Sequence, residues 1–326
     1  MNSVQWIDAR SVEEAVALLS ADARGTIAKA GGMDLLDLLK EGIVAPARIV
    51  NLQRIDALRG VQFVDTAGLH LGALTTLAEI ASNPSIRQHY PALAEAAAHA
   101  ATPQIRNAAT IGGNLLQRPR CWYFRNELFH AARDQVGREE SQYGAIFDNA
   151  KTTMVHASTP ATALVAYGAR VHMVGKSGQS RTLALSDFLL PPDFNRTRDT
   201  ALGNDEVLTH VTVPAVAANT RAAYHKQTER ESYDWPICDI AVVLTLAGRK
   251  VEAAKIVAGA VAPVPRRLTT GESLLVGREI DERIAAEAAR AAVRGATATA
   301  KNSYKVPILE TVIKRTILAA VGQASA

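Results

Sequence analysis

The stretch TIAKAGGMDLLDLLK, residues 26–40, decides how this chain is to be read. Thr26 to Ala30 reads as a short strand, and Gly31-Gly32 as a tight loop. Asp34 to Lys40 reads as a helix stopped by Gly42, in the position where helices favour a left-handed residue. A strand, a glycine loop and a helix start let backbone approach a ligand closely, and the free N–H groups at the helix start favour a phosphate. A second glycine pair lies in Thr110-Ile111-Gly112-Gly113-Asn114-Leu115, preceded by a hydroxyl and followed by an amide. It reads as a similar nest, and two such nests suit a diphosphate held from both sides. Either pair alone is more often a plain tight turn.

Working outward, Ser11 followed by Glu14 fits a capping box before a helix from Val12 to Leu19. ARIVNLQRI (47–55) is a strand, and a break falls between Ile55 and Gly60. VQFVDTAGLHLGAL (61–74) reads as two strands about a turn at Asp65 to Gly68, with Thr75 opening a helix. PALAEAAAHAA (91–101) is a helix by its strong helix formers. From Cys121 to Lys151 the pattern loses its period and reads as a long excursion outside the core. ALVAYGARV (163–171) reads as a strand, Gly175-Lys176-Ser177 as a hairpin turn, and Val207 to Val213 as a strand ended by Pro214. Strands at Ile240–Leu246 and Val251–Ala258 precede helices at Glu282–Arg294 and Ile308–Val321. Strands mixed with separate helices, without steady alternation, predict an α+β fold and disfavour a doubly wound one. No Gly-x-Gly-x-x-Gly occurs, and a Walker A loop fails because Arg170 stands where its first glycine belongs.

Composition narrows the classes further. The 326 residues suffice for two or three domains, and 48% apolar with 21% charged residues describes an ordinary folded protein. The net charge of +4 is scattered, with no basic run for nucleic acid or a membrane surface. No stretch is long and apolar enough to span a bilayer, and the N-terminus lacks a signal-peptide pattern, so a cytoplasmic protein is expected. The two cysteines, Cys121 and Cys238, exclude a disulfide framework and any local Cys-x-x-Cys site. The unclustered histidines, His70 and His210 among them, read as structural.

The AGGMDL loop (30–35), QIRNAATIGGNL (104–115), ALVAYGARV with the following Ser186-Asp187-Phe188, EVLTHVTVP (206–214) and KQTERESYD (226–234) follow one another in family order. Over nearly the whole chain this series resembles the FAD-binding subunit of the molybdenum hydroxylases, the family of xanthine dehydrogenase, carbon monoxide dehydrogenase and bacterial aldehyde oxidoreductases. The resemblance implies a two-part FAD-binding domain of the vanillyl-alcohol-oxidase (PCMH) type, followed by a small antiparallel sheet with helices. The expected divisions are residues 1–57, 58–216 and 217–326. It implies FAD held by Lys29, Ala30, Gly31, Gly32, Met33, Asp34 and Leu35 on one side and by Thr110, Ile111, Gly112, Gly113 and Asn114 on the other. Ser158 or Thr159, Leu208 and Lys226 match later pocket positions, although Leu208 also reads as plain core and Lys226 as an ordinary solvated cation.

The implied role is electron transfer. A partner molybdenum subunit with molybdopterin oxidises an aldehyde or N-heterocycle, a partner [2Fe-2S] subunit relays electrons, and this chain's FAD hands them to an outside acceptor. No general base or nucleophile is expected here. The segment around Cys121 looks most like the aldehyde oxidoreductase branch, which carries a [4Fe-4S] cluster on four cysteines; with Cys121 alone remaining, no such cluster is expected, and His130 and His156 do not replace the lost ligands. An exported complex, with the signal on a partner, is the alternative location. Two other functions stay open at this point: a self-sufficient FAD oxidase of the vanillyl-alcohol-oxidase superfamily, and a flavin-free assembly subunit.

Overall fold

The computed structural model describes residues 3–121, 124–126, 142–150, 152–191, 198–231 and 233–322. The first unit contains β1 (Gln5–Asp8), α1 (Val12–Ala21), β2 (Thr26–Lys29), α2 (Leu35–Lys40) and β3 (Arg48–Asn51), its strands forming a parallel sheet in the order β1-β3-β2. Ser11 caps α1 by accepting from the Glu14 amide, but Glu14 reaches the Arg10 amide, one residue before the expected one.

The second unit runs through β4 (Val61–Val64), β5 (Gly68–Gly72), α3 (Leu77–Ser82), α4 (Pro84–His89), α5 (Pro91–Ala98), α6 (Pro103–Ala108), α7 (Ile111–Leu115), α8 (Thr159–Tyr167), β6 (Arg170–Val174), β7 (Ser180–Ala184), α9 (Leu185–Phe188) and β8 (Val207–Val213). Its strands form an antiparallel sheet ordered β4-β5-β8-β6-β7. The full capping box belongs to Thr76 and Glu79, so α3 starts after Thr76; Thr75 instead donates its hydroxyl to the Gly60 carbonyl.

The third unit has β9 (Thr220–Gln227), β10 (Cys238–Ala247), β11 (Lys250–Gly259), β12 (Arg266–Arg267), α10 (Thr269–Leu275), α11 (Glu282–Ala292) and α12 (Lys305–Ala320). Its antiparallel sheet, ordered β12-β11-β10-β9, is covered on both faces. Because strand side chains alternate, Ile240, Val242 and Leu244 join the core under α10 to α12, whereas Ala241 joins the core built on α5 and α8. The helices of the second unit therefore pack on the sheet of the third.

Two expectations are corrected. ALVAYGARV is not a strand throughout: α8 holds residues 163–167, Gly168 ends it in the left-handed region (φ 75°), and the strand starts at Arg170. Every residue of α8 is buried, so no polar face marks its period. The end of the excursion is not outside the core either. Ile146 and Phe147 are buried in the third unit's core, and their amides both donate to the Val261 carbonyl, at 2.8 and 3.0 Å. Residues 127–141, the middle of that excursion, lie outside the described residues, as does His130.

On the sheet of the second unit the imidazoles of His70, His210 and His172 stack, with centroids 4.3 and 4.0 Å apart. Burial first, and then the neighbouring His172 and His70, hold His210 down to about 4. Its folded value thus lies below its unfolded one, near 6.5. The stability it contributes is present above about pH 6.5 and is lost as pH falls towards 4, because the unfolded chain binds the proton more readily. His210→Gln is expected to flatten the loss of stability between those limits, which urea midpoints at several pH values would read. Parallel pH profiles for the two proteins would contradict this account.

Candidate functional site

A cleft of about 770 Å³ opens where the three units meet, within the range of roughly 300–1,000 Å³ usual for ligand pockets. Its first wall is the β2–α2 connection. Gly32 has φ +82°, which glycine adopts without strain, and Gly31 is pressed against the second unit: a Cβ there would lie 2.1 Å from the Ala108 carbonyl oxygen. Leu36 and Leu38 begin α2 by donating to the Gly32 and Asp34 carbonyls. The amides of Gly31, Gly32 and Met33 make no hydrogen bond among the described residues and border the cleft. Ala30 and Leu35 line it beside them.

Asp34 also lines the cleft, but its carboxylate is engaged elsewhere. It accepts from the Arg118 amide at 3.0 Å and pairs with Arg120 at 3.0 Å and Arg125 at 2.5 Å. The pairing offsets a negative charge that would otherwise repel an anion at the loop. Lys29 lines the cleft at the strand end, with its ammonium 3.5 Å from Asn51 Oδ1 and 5.3 Å over the Trp6 ring. Burial lowers its proton affinity, partly offset by Asp8.

The second glycine pair is not a loop with free amides. Thr110 caps the short helix α7, and all four amides at its start are already engaged. Ile111 donates to the Thr75 carbonyl, Gly112 to the Ala73 carbonyl, Gly113 to Thr110 Oγ1, and Asn114 to the Thr110 carbonyl. Thr110, Gly112, Gly113 and Asn114 line the cleft, but they give it a flat, small-residue wall and no anion nest. A Cβ on Gly113 would come within 3.9 Å of the Ala30 Cβ, so the two walls face each other there. Ile111 is fully buried in the core of the second unit and is not among the lining residues.

Of the two hydroxyls matched at the start of α8, Thr159 borders the cleft and Ser158 does not. Thr159 Oγ1 donates to the Ala96 carbonyl at 3.1 Å, while Ser158 caps α8 and donates to Asn114 Oδ1. Leu208 borders the cleft and belongs to the core at the same time. Lys226 is no freely solvated cation: its ammonium donates to the His99 and Asp234 carbonyls, at 2.9 and 2.6 Å, and burial lowers its proton affinity while Asp239 and Asp234 raise it.

Sequence reasoning missed Arg118, Arg120, Tyr233 and Trp235, all of which line the cleft. Arg120 lies 5.3 Å over the Trp235 ring, closing the rim from two distant segments. Their signal was weak: an Arg-Pro-Arg at residues 118–120, a few positions after the second glycine pair, and a Tyr-Asp-Trp at residues 233–235, after Lys226. Unengaged amides on one wall, close backbone approach on the other, and several cations at the rim fit a dinucleotide diphosphate. Among the described residues no group of three or more His, Cys, Asp or Glu side chains is placed to hold a metal.

Comparison with known proteins agrees with this geometry. The family described as the FAD binding domain in molybdopterin dehydrogenase matches residues 2–216, and the CO dehydrogenase flavoprotein C-terminal domain matches residues 223–320. The aldehyde oxidoreductase FAD-binding subunit PaoB of Escherichia coli (strain K12) is 30% identical over 76% of this chain and 78% of its own. The carbon monoxide dehydrogenase medium chain of Hydrogenophaga pseudoflava is 30% identical over 87% of this chain and 84% of its own. The solved carbon monoxide dehydrogenase of that organism superposes with a TM-score of 0.79 at 27% identity, covering 99% of both chains. With both family domains matched in order and the fold shared from end to end, the chain belongs to the molybdenum hydroxylase family as an FAD-binding medium subunit.

Proposed function

We propose that the chain holds FAD with its diphosphate on the amides of Gly31, Gly32 and Met33, against the wall formed by Thr110 to Asn114, and with its ring towards Leu208 and Lys226. The observation that carries this reading is the row of unengaged amides at a loop whose glycine touches the opposite backbone. A bound flavin exchanges electrons singly or in pairs, which suits a relay between an iron–sulfur donor and an outside acceptor. The protein's own part is placement and charge. Gly31 lets the loop meet Ala108, the Arg120 and Arg125 guanidiniums offset Asp34, and Lys226, held by two carbonyls, sets a fixed positive charge in the wall of the cleft.

In this reading a molybdopterin-carrying large subunit oxidises an aldehyde or N-heterocycle, and a small [2Fe-2S] subunit delivers the electrons. The names of the medium-chain relatives support partners of this kind. The divisions proposed at residues 57 and 216 follow the breaks between the three sheets, and the two family matches meet between residues 216 and 223. We place the complex in the cytoplasm, the reducing compartment that two free cysteines suit; separately, no helix among the described residues is long and apolar enough to cross a membrane. A self-sufficient oxidase is disfavoured because the residues after 223 match a flavoprotein C-terminal domain and no substrate cap.

The test is a visible spectrum of the purified full chain with aldehydes and N-heterocycles added. Flavin bands that bleach with dithionite and not with substrate are expected. Bleaching by substrate in this chain alone would favour the oxidase, and a colourless folded protein would favour the assembly subunit.

A further inference from the structure

Behind the cleft wall, and not lining it, lies an acid that the electron-transfer reading does not use. Asp239 on β10 is 1% exposed. Its cross-strand partner on β9 is Lys226, and its carboxylate accepts from the Tyr224 hydroxyl at 3.1 Å. Room for it is made by a glycine: a Cβ on Gly259 would lie 2.2 Å from Asp239 Oδ1. The groups around Asp239 are Thr162 from α8, Tyr224 and Lys226 from β9, Cys238 on its own strand, and Lys305 from α12, and Tyr224 in turn meets Thr159. Lys305 donates to the carbonyls of Tyr143, Gly144 and Ala260, and it acts on Asp239 by charge. Lys226 and Thr159, by contrast, belong to the wall of the cleft itself. Lys226 in turn feels Asp234 and Arg106.

We propose that Asp239 is a positioning residue that couples the charge of the cofactor cleft to pH, acting through Lys226 and Tyr224. Ionised, it offsets the Lys226 ammonium; protonated, it leaves the wall one charge more positive, which favours negative charge in the cleft. By linkage the converse holds. When a reductant delivers electrons to the cleft, the added negative charge raises the affinity of Asp239 for a proton, and the carboxylate oxygen takes one from solvent. Oxidation by the outside acceptor returns that proton. Burial, partly offset by Thr162, by the Tyr224 hydrogen bond and by Lys226 and Lys305, pushes Asp239 up to about 6, within the range where such exchange is possible near neutrality.

The inference rests on the proposed flavin site, and the experiment separates the two. The full chain loaded with FAD is titrated between about pH 5 and 8, and the flavin midpoint potential is followed in the wild type and in Asp239→Asn. The wild type is expected to show a break in the pH dependence at or above about pH 6, absent from the variant. Comparing the two removes any contribution common to both proteins, that of the flavin's own ring nitrogens included. Superimposable profiles in two flavin-containing proteins would overturn the proposal while leaving the site intact. A wild-type chain that takes up no FAD would refute the site itself. Should Asp239→Asn fail to fold, Tyr224→Phe keeps the ring and removes the hydrogen bond, and is expected to move the break to higher pH. An unmoved break would also overturn the proposal, because a purely structural Asp239 predicts no change in either profile.

Discussion

Gly31→Ala is expected to weaken FAD binding by about tenfold and to lower stability by about 1–3 kcal/mol, measured by titrating the apoprotein with FAD and by thermal unfolding. The new Cβ would stand 2.1 Å from the Ala108 carbonyl oxygen, so backbone must separate from backbone by roughly an ångström or more. The second wall resists moving. The Ala109 amide donates to Ile105 and the Ala109 carbonyl accepts from Leu77, so α6 and α3 hold that segment from both sides. Overpacking of this kind costs about 1–3 kcal/mol, and each 1.4 kcal/mol taken from binding is about a factor of ten in Kd. Unchanged affinity would mean that the diphosphate does not depend on the contact between the two walls. Gly112→Val is a less discriminating variant, because its Cβ would meet Ala73 at 3.0 Å and disturb the fold as well as the cleft.

Lys305→Met is expected to cost about 2–4 kcal/mol of stability, the order set by buried acceptors left without a donor, read as a lower urea midpoint with little change in slope. Methionine keeps much of the stem but removes an ammonium that donates to three carbonyls, those of Tyr143 and Gly144 at 3.1 Å and Ala260 at 2.7 Å. Lys305 is fully buried, so those acceptors lose a partner that water cannot readily replace. The ammonium joins α12, the end of β11 and the segment following residue 141, and its loss is expected to loosen that segment first. A variant as stable as the wild type would show that the three carbonyls find other donors.

The sequence carried the first wall of the cleft well and the second poorly, for a physical reason in each case. In residues 26–40 the strand, the turn and the helix are adjacent, so local rules describe the whole feature. Val207–Val213 was legible because its alternation and the following proline mark both ends. At Gly112-Gly113 local rules point to a loop, yet Thr110 caps a helix there, and the Ala73 and Thr75 carbonyls, distant in sequence, take the amides that seemed free. The contact of Arg120 with Trp235 joins two segments far apart in the chain, which no local pattern announces. Asp239 is inconspicuous in sequence, a single acid at the start of an apolar strand; its setting appears only once Gly259 and Tyr224 are placed around it.

A crystal structure of the full chain with FAD bound tests the central claim most directly. The account predicts the diphosphate oxygens within hydrogen-bonding distance of the Gly31, Gly32 and Met33 amides, with the flavin ring at the Lys226 end of the cleft. Flavin bound with its diphosphate away from those three amides would contradict it.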